Sequence, residues 1–220
     1  MGLPCFSRRE EMKKCLLAGT VACLATAGVA SADSITTLFT SNNGGADGWG
    51  VFFDVDIVNP DGLIFDQVDI NARGAAGVPI GLEVYIIAGG SDFGNINGPT
   101  NSSAGWTLVG TGSGSSAGND VPTPVVLNSS FTLMPGLYGM GIRTTGLGQN
   151  YTNGTGANQF FANSDLELSL GNARNDASGF GSSSFFPRVW NGTLHYEVVP
   201  APGTAALLGL GGLMGLRRRR

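Results

Sequence analysis

The sequence predicts an all-β body, an antiparallel β-sandwich of jelly-roll-like size, between an N-terminal signal peptide and a short C-terminal membrane helix. Three observations carry that expectation. Apolar residues recur at every second position through the middle of the chain. Loops rich in Gly, Asn, Ser, Asp and Pro separate those runs. No stretch between residues 33 and 199 keeps a helical period. The same strands closed into a barrel are the alternative arrangement.

The first segment, 1–32, reads as a signal peptide. Lys13 and Lys14 precede an apolar stretch from Leu16 to Val29, and Ala30-Ser31-Ala32 supplies a small-x-small cleavage site. Cleavage is expected after Ala32. Met12 is the better start, because residues 12–32 form a complete leader without the residues before them.

The second segment, 33–199, holds the strands. In "VFFDVDIV", Val51, Phe53, Val55 and Ile57 alternate with Phe52, Asp54, Asp56 and Val58. Val68 and Ile70 share a face, as do Leu82, Val84 and Ile86, and Leu166, Leu168 and Leu170. Such alternation describes half-buried strands with one face inward. In "GLYGMGIRTT", Gly139 and Gly141 leave one strand face bare, so another layer can approach closely.

This segment carries fourteen carboxylates against four arginines (Arg73, Arg143, Arg174 and Arg188), no lysine, and a formal charge of −10. A surface of that sign repels phosphate backbones and excludes nucleic acid as a partner. All three cysteines, Cys5, Cys15 and Cys23, precede residue 33, so the body has no disulfide, thiol nucleophile or thiolate metal site.

The signs of chemistry are thin, and no catalytic residue is assigned. His195 is the one histidine of the chain, and alternation places it outward between Leu194 and Tyr196. No serine sits in a G-x-S-x-G turn. Asp54 with Asp56, and Asp165 with Glu167, are same-face carboxylates of the kind that glycoside hydrolysis pairs across a cleft, and of the kind any acidic strand shows to solvent. Asp54, Asp56 and Asp61 are hard oxygen ligands suited to Ca²⁺, but their spacing departs from the Ca²⁺-loop pattern. No cofactor is expected, with Ca²⁺ the one ion these residues suggest.

The third segment, 200–220, is built in three parts. Pro200-Ala201-Pro202 ends the last strand, Gly203–Leu216 is an uncharged run of 14 residues, and Arg217, Arg218, Arg219 and Arg220 close the chain. As a helix the run would be about 21 Å long, against a hydrocarbon core of ~30 Å. Terminal arginines lengthen its reach by snorkelling and hold that end in the cytoplasm.

This tail resembles the PEP-CTERM sorting signal of bacterial surface proteins. The resemblance covers about 22 residues and lies in the order proline pair, apolar run, arginine cluster. It departs from the family pattern at Ala201, where glutamate is usual. The resemblance implies that an exosortase-type membrane enzyme recognises Pro200, Pro202, Gly203 and Arg217–Arg220. It also implies a host that makes an exopolysaccharide matrix. The expectation is an exported protein of the cell envelope, cell surface or extracellular matrix with a non-catalytic β-sandwich body. The alternatives are a Ca²⁺-dependent carbohydrate-binding module and, behind it, a glycan-active enzyme.

Overall fold

The computed structural model describes residues 33–181 and 183–200. The expected leader, with Ala30 and Ala32, lies outside the described residues, and so do Ala201, Pro202, Gly203 and Arg217–Arg220 of the tail.

The strands of the first half are β1 (Asp33–Thr36), β2 (Asn43–Gly44), β3 (Gly50–Ile57), β4 (Leu63–Arg73), β5 (Pro79–Ala88) and β6 (Thr107–Ser115). Those of the second half are β7 (Pro122–Leu133), β8 (Gly136–Thr145), β9 (Gly148–Asn153), β10 (Phe160–Ala162), β11 (Leu166–Arg174), β12 (Ser184–Phe185), β13 (Arg188–Trp190) and β14 (Gly192–Val198). Among the described residues the one helical element is a three-residue 3-10 turn, Pro99–Asn101.

All pairings are antiparallel. One run of strands is β1-β14-β4-β7, the other β6-β5-β8-β3-β11-β10. The two runs meet at a seam between β6 and β7, where Gly112 pairs with Leu127. On the other side Asn163, beside β10, reaches the Ser34 carbonyl of β1 at 3.5 Å. The body is thus sandwich-like and nearly closed into a barrel.

The seam follows from sequence. A Cβ at Gly112 would meet the Val126 carbonyl oxygen at 2.6 Å and the Val125 side chain at 2.7 Å, so only glycine lets β7 cross this closely. Residues 127–130 bulge out of the β4–β7 ladder, whose register jumps from Phe65–Phe131 to Gln67–Val126.

The alternating residues fill the space between the runs. Phe53, Val55, Phe65, Val68, Ile70, Leu82, Val84, Leu168 and Leu194 are all buried there, each worth roughly 1.5–3 kcal/mol against exposure. Trp190 stacks on Phe53 with ring centroids 5.0 Å apart.

A second, smaller core covers the outer face of the longer run. Phe52 packs there against Trp106 and Phe180, and Tyr85 meets Phe180 edge-on at 5.2 Å. The bare face of β8 makes room for it. A Cβ at Gly141 would lie 2.7 Å from the Phe52 ring, and one at Gly139 would lie 2.7 Å from the Ser91 amide.

The body has two distinct ends. At one, β13-β9-β2 form a small sheet, and β9 continues onto the end of β4 through Ala72–Gln149 and Arg73–Gly148. This is the far end. The near end carries the β3–β4 and β7–β8 turns. The described chain begins there, where Asp33 pairs with Tyr196, and leaves there, where the Val199 amide donates to the Gly62 carbonyl at 3.0 Å.

Candidate functional site

The carboxylates singled out in the sequence occupy separate structural posts. Asp54 Oδ1 accepts hydrogen bonds from the Ser91 amide and hydroxyl, both at 2.6 Å, which ties the loop after β5 onto β3. Burial pushes the Asp54 carboxyl above its ordinary pKa, while the two Ser91 bonds pull the other way. Asp56 lies directly across from Glu167 in the β3–β11 ladder, a like-charge pair on the outer face. Asp61 sits exposed in the β3–β4 turn, its amide held by Asn59 Oδ1 at 3.0 Å. Among the described residues no three His, Cys, Asp or Glu side chains come together as a metal-holding group.

Asp165 acts as a clamp. It accepts from Asn59 Nδ2 at 2.7 Å and from the Tyr196 hydroxyl at 3.1 Å, joining the β3–β4 turn to β14. Burial and the Asp165 carboxylate raise the Tyr196 pKa to about 12. His195 does point outward and bonds Asp69 Oδ2 through Nε2 at 2.9 Å, while Gln67 donates to the other Asp69 oxygen at 2.8 Å. This pair lies on an open strand face.

Arg174, at the end of β11, is fully buried. Its guanidinium donates to Thr100 Oγ1 from Nε and Nη2 (3.0 and 2.7 Å), to the Ile96 carbonyl (2.9 Å) and to the Gly181 carbonyl (3.0 Å). Loss of water lowers its pKa, yet a guanidinium stays protonated in proteins. Asn172 reinforces the same loop, donating to the Phe93 carbonyl at 3.0 Å. These two side chains pin residues 91–106 over the second core. The sequence showed Arg174 only as one cation in a Gly/Asn/Ser-rich stretch; nothing there marked it as buried.

The far end gathers cations and rings. The Arg188 guanidinium lies 5.8 Å from the centroid of the Tyr151 ring and 5.7 Å from that of Phe185. Trp49 stacks on the other side of this group, 5.7 Å from Phe185 and only 11° off parallel. Arg188 donates to the Pro187 carbonyl at 2.8 Å, and its buried Nε has no partner among the described residues. Arg73 caps the Gly44 and Gly45 carbonyls nearby at 3.2 and 3.4 Å. Of the four body arginines, Arg143 alone forms a carboxylate pair among the described residues, with Glu83 at 2.7 Å. The result is a cationic, aromatic spot on an otherwise acidic body.

Behind it lies a polar network. Asn71, fully buried, donates to the Phe39 carbonyl (2.8 Å) and Asp120 Oδ1 (3.0 Å) and accepts from the Asp120 amide (2.9 Å) and Asn150 Nδ2 (3.1 Å). Asp120 Oδ1 also accepts from the Ser41 amide and hydroxyl, and these bonds hold the carboxyl below its usual range.

A shallow groove of about 190 Å³ at the β6–β7 seam is lined by Leu108, Gly110, Thr111, Asn128 and Ser129, with no charged group. The chain matches no model of a protein family, and no curated protein matches it.

Proposed function

We propose that this chain is an exported surface or matrix protein, sorted by an exosortase-type enzyme, whose β body acts by display without catalysis. The observation that carries this reading is the ordered tail: Pro200-Ala201-Pro202, fourteen uncharged residues and Arg217–Arg220, opposite a leader that ends at Ala32. Two further facts support it. Pro200 is exposed, which is consistent with a segment that a membrane protease has to reach. The folded body enters and leaves at one end, so both segments attach on the same side.

The body is read as a jelly roll. What supports this is the alternating order of β1-β14-β4-β7 against β6-β5-β8-β3, with β11 and β10 added at the edge. An exopolysaccharide is the proposed partner in the matrix, and the Trp49–Phe185–Arg188 group supplies the flat rings and the cation that would touch it. No observation favours the Ca²⁺-dependent module over this one: Asp54 and Asp56 share one face of β3, but among the described residues they join no third carboxylate in a metal-holding group.

The test is replacement of Arg217–Arg220 by serine in the native host, followed by fractionation. The expected result is loss of the processed surface form and accumulation of a longer, unprocessed species. Unchanged processing and location would refute the reading.

A further inference from the structure

The near end is tipped with apolar side chains that the body does not cover. Met134, in the β7–β8 turn, is 53% exposed, Leu137, at the start of β8, 45%, and Val58, in the β3–β4 turn, 44%. Pro60 and Pro135 are exposed beside them, and Pro200 follows at the chain exit. These residues belong together. Ile57, next to Val58, pairs with Gly136, and Leu137 pairs with Asp56. A Cβ at Gly62 would meet Met134 Sδ at 3.1 Å, and the carbonyl of that same glycine holds Val199. Grouped exposed apolar side chains on a soluble body mark a contact surface.

The tether decides what that surface meets. From Val199, fixed to Gly62, to Gly203, where the uncharged run begins, is four residues. Fully extended, four residues reach about 14 Å. With 203–216 seated in a bilayer, the near end is held within that distance of the lipid, and the tips face it. We infer that, while the tail is attached, the body docks on the bilayer surface through Val58, Met134 and Leu137. The inference rests on the reading of 200–220 as a membrane tail.

The docking is apolar in origin. Asp33, Asp56, Asp61, Asp165, Glu167 and Glu197 stand at the same end, and the body has no lysine to offset them. Anionic lipid therefore repels this end, and neutral lipid receives it. The apolar tips enter only the headgroup boundary, as interfacial anchors do.

The experiment uses the full chain with Cys5, Cys15 and Cys23 changed to serine, reconstituted in phosphatidylcholine vesicles. A fluorophore is placed at Met134→Cys or Leu137→Cys, or at Ala76→Cys in the exposed β4–β5 turn of the far end. The expected result is quenching by a nitroxide lipid several-fold stronger at 134 and 137 than at 76, weakened by added anionic lipid. Alkali-resistant flotation that is lost when 200–220 are deleted reports separately whether the tail is inserted. Flotation without preferential quenching overturns the docking and leaves the tail reading standing; failure to float removes both. Shielding of position 134 from aqueous iodide without lipid quenching would point to a second copy and also overturn the docking. A Val58→Cys label in a Met134→Glu, Leu137→Glu background should lose its lipid quenching while the vesicles still float.

Discussion

The two ends of the body solve the same problem in different ways. Each must finish strands whose backbone groups run out of partners. The far end does so with polar side chains: the amides of Asn71, Asn150 and Asn119 and the carboxylate of Asp120 bond one another and the neighbouring main chain. The near end does so with tight turns and one clamp, Asp165, and leaves Met134, Leu137 and Val58 uncovered. The difference teaches that stability and contact are divided. Buried polar bonds fix the far end, whereas the near end spends little of the fold's stability on its apolar tips.

The largest effect should come from breaking the far network. Asn71→Ala removes four hydrogen bonds at a fully buried site and strands the Phe39 carbonyl and the Asp120 amide. A loss of about 3 kcal/mol in urea denaturation is expected; a change below about 0.5 kcal/mol would mean the network is dispensable. Arg188→Ala comes next. Removing the cation between two rings should cost about 1 kcal/mol and weaken retention on acidic polysaccharide, and unchanged retention would detach the ring–cation group from binding.

Acid titration sharpens the contrast further. Asp120 has a folded pKa below its ordinary 3.8, so its contribution is present above that value and fades as pH falls through the folded pKa. Asp54 has a folded pKa above 3.8, so its contribution is full below that value and fades as pH rises through the folded pKa. Asp120→Asn should therefore flatten the acid limb of a stability–pH curve, and Asp54→Asn should flatten the limb above it. Identical curves for both variants would contradict the assignment. The smallest effect is expected at the tips: Met134→Glu should change stability in solution by no more than about 0.5 kcal/mol, and a larger drop would place Met134 in the core.

Much of the main core was legible in the sequence because period-two alternation is set by the pleat itself. Val51, Phe53, Val55 and Ile57 do face inward, and so do Val68 with Ile70 and Leu82 with Val84. Phe52 shows the limit: it alternates to the outer face yet is buried, because Trp106 and Phe180, from loops far along the chain, fold over it. The glycine face of β8 announced such a layer without saying what would form it. β9 falls in a Gly- and Asn-rich stretch of the kind that marks loops, and its strand character comes from pairing across the chain. Within "FFPRVWNG", Trp190 is buried and Phe186 exposed, a difference that the sequence alone does not mark. The ring–cation group itself was not legible, since Trp49, Tyr151 and Phe185 are far apart in sequence.

The proposed sorting requires both ends of the polypeptide to be removable addresses around a folded middle. Intact-mass measurement on protein recovered from fractionated native cells tests this most directly. The predicted result is an envelope or matrix species whose mass begins at Asp33 and lacks Arg217–Arg220. A cytosolic species still carrying Lys13 and Arg220 would contradict it.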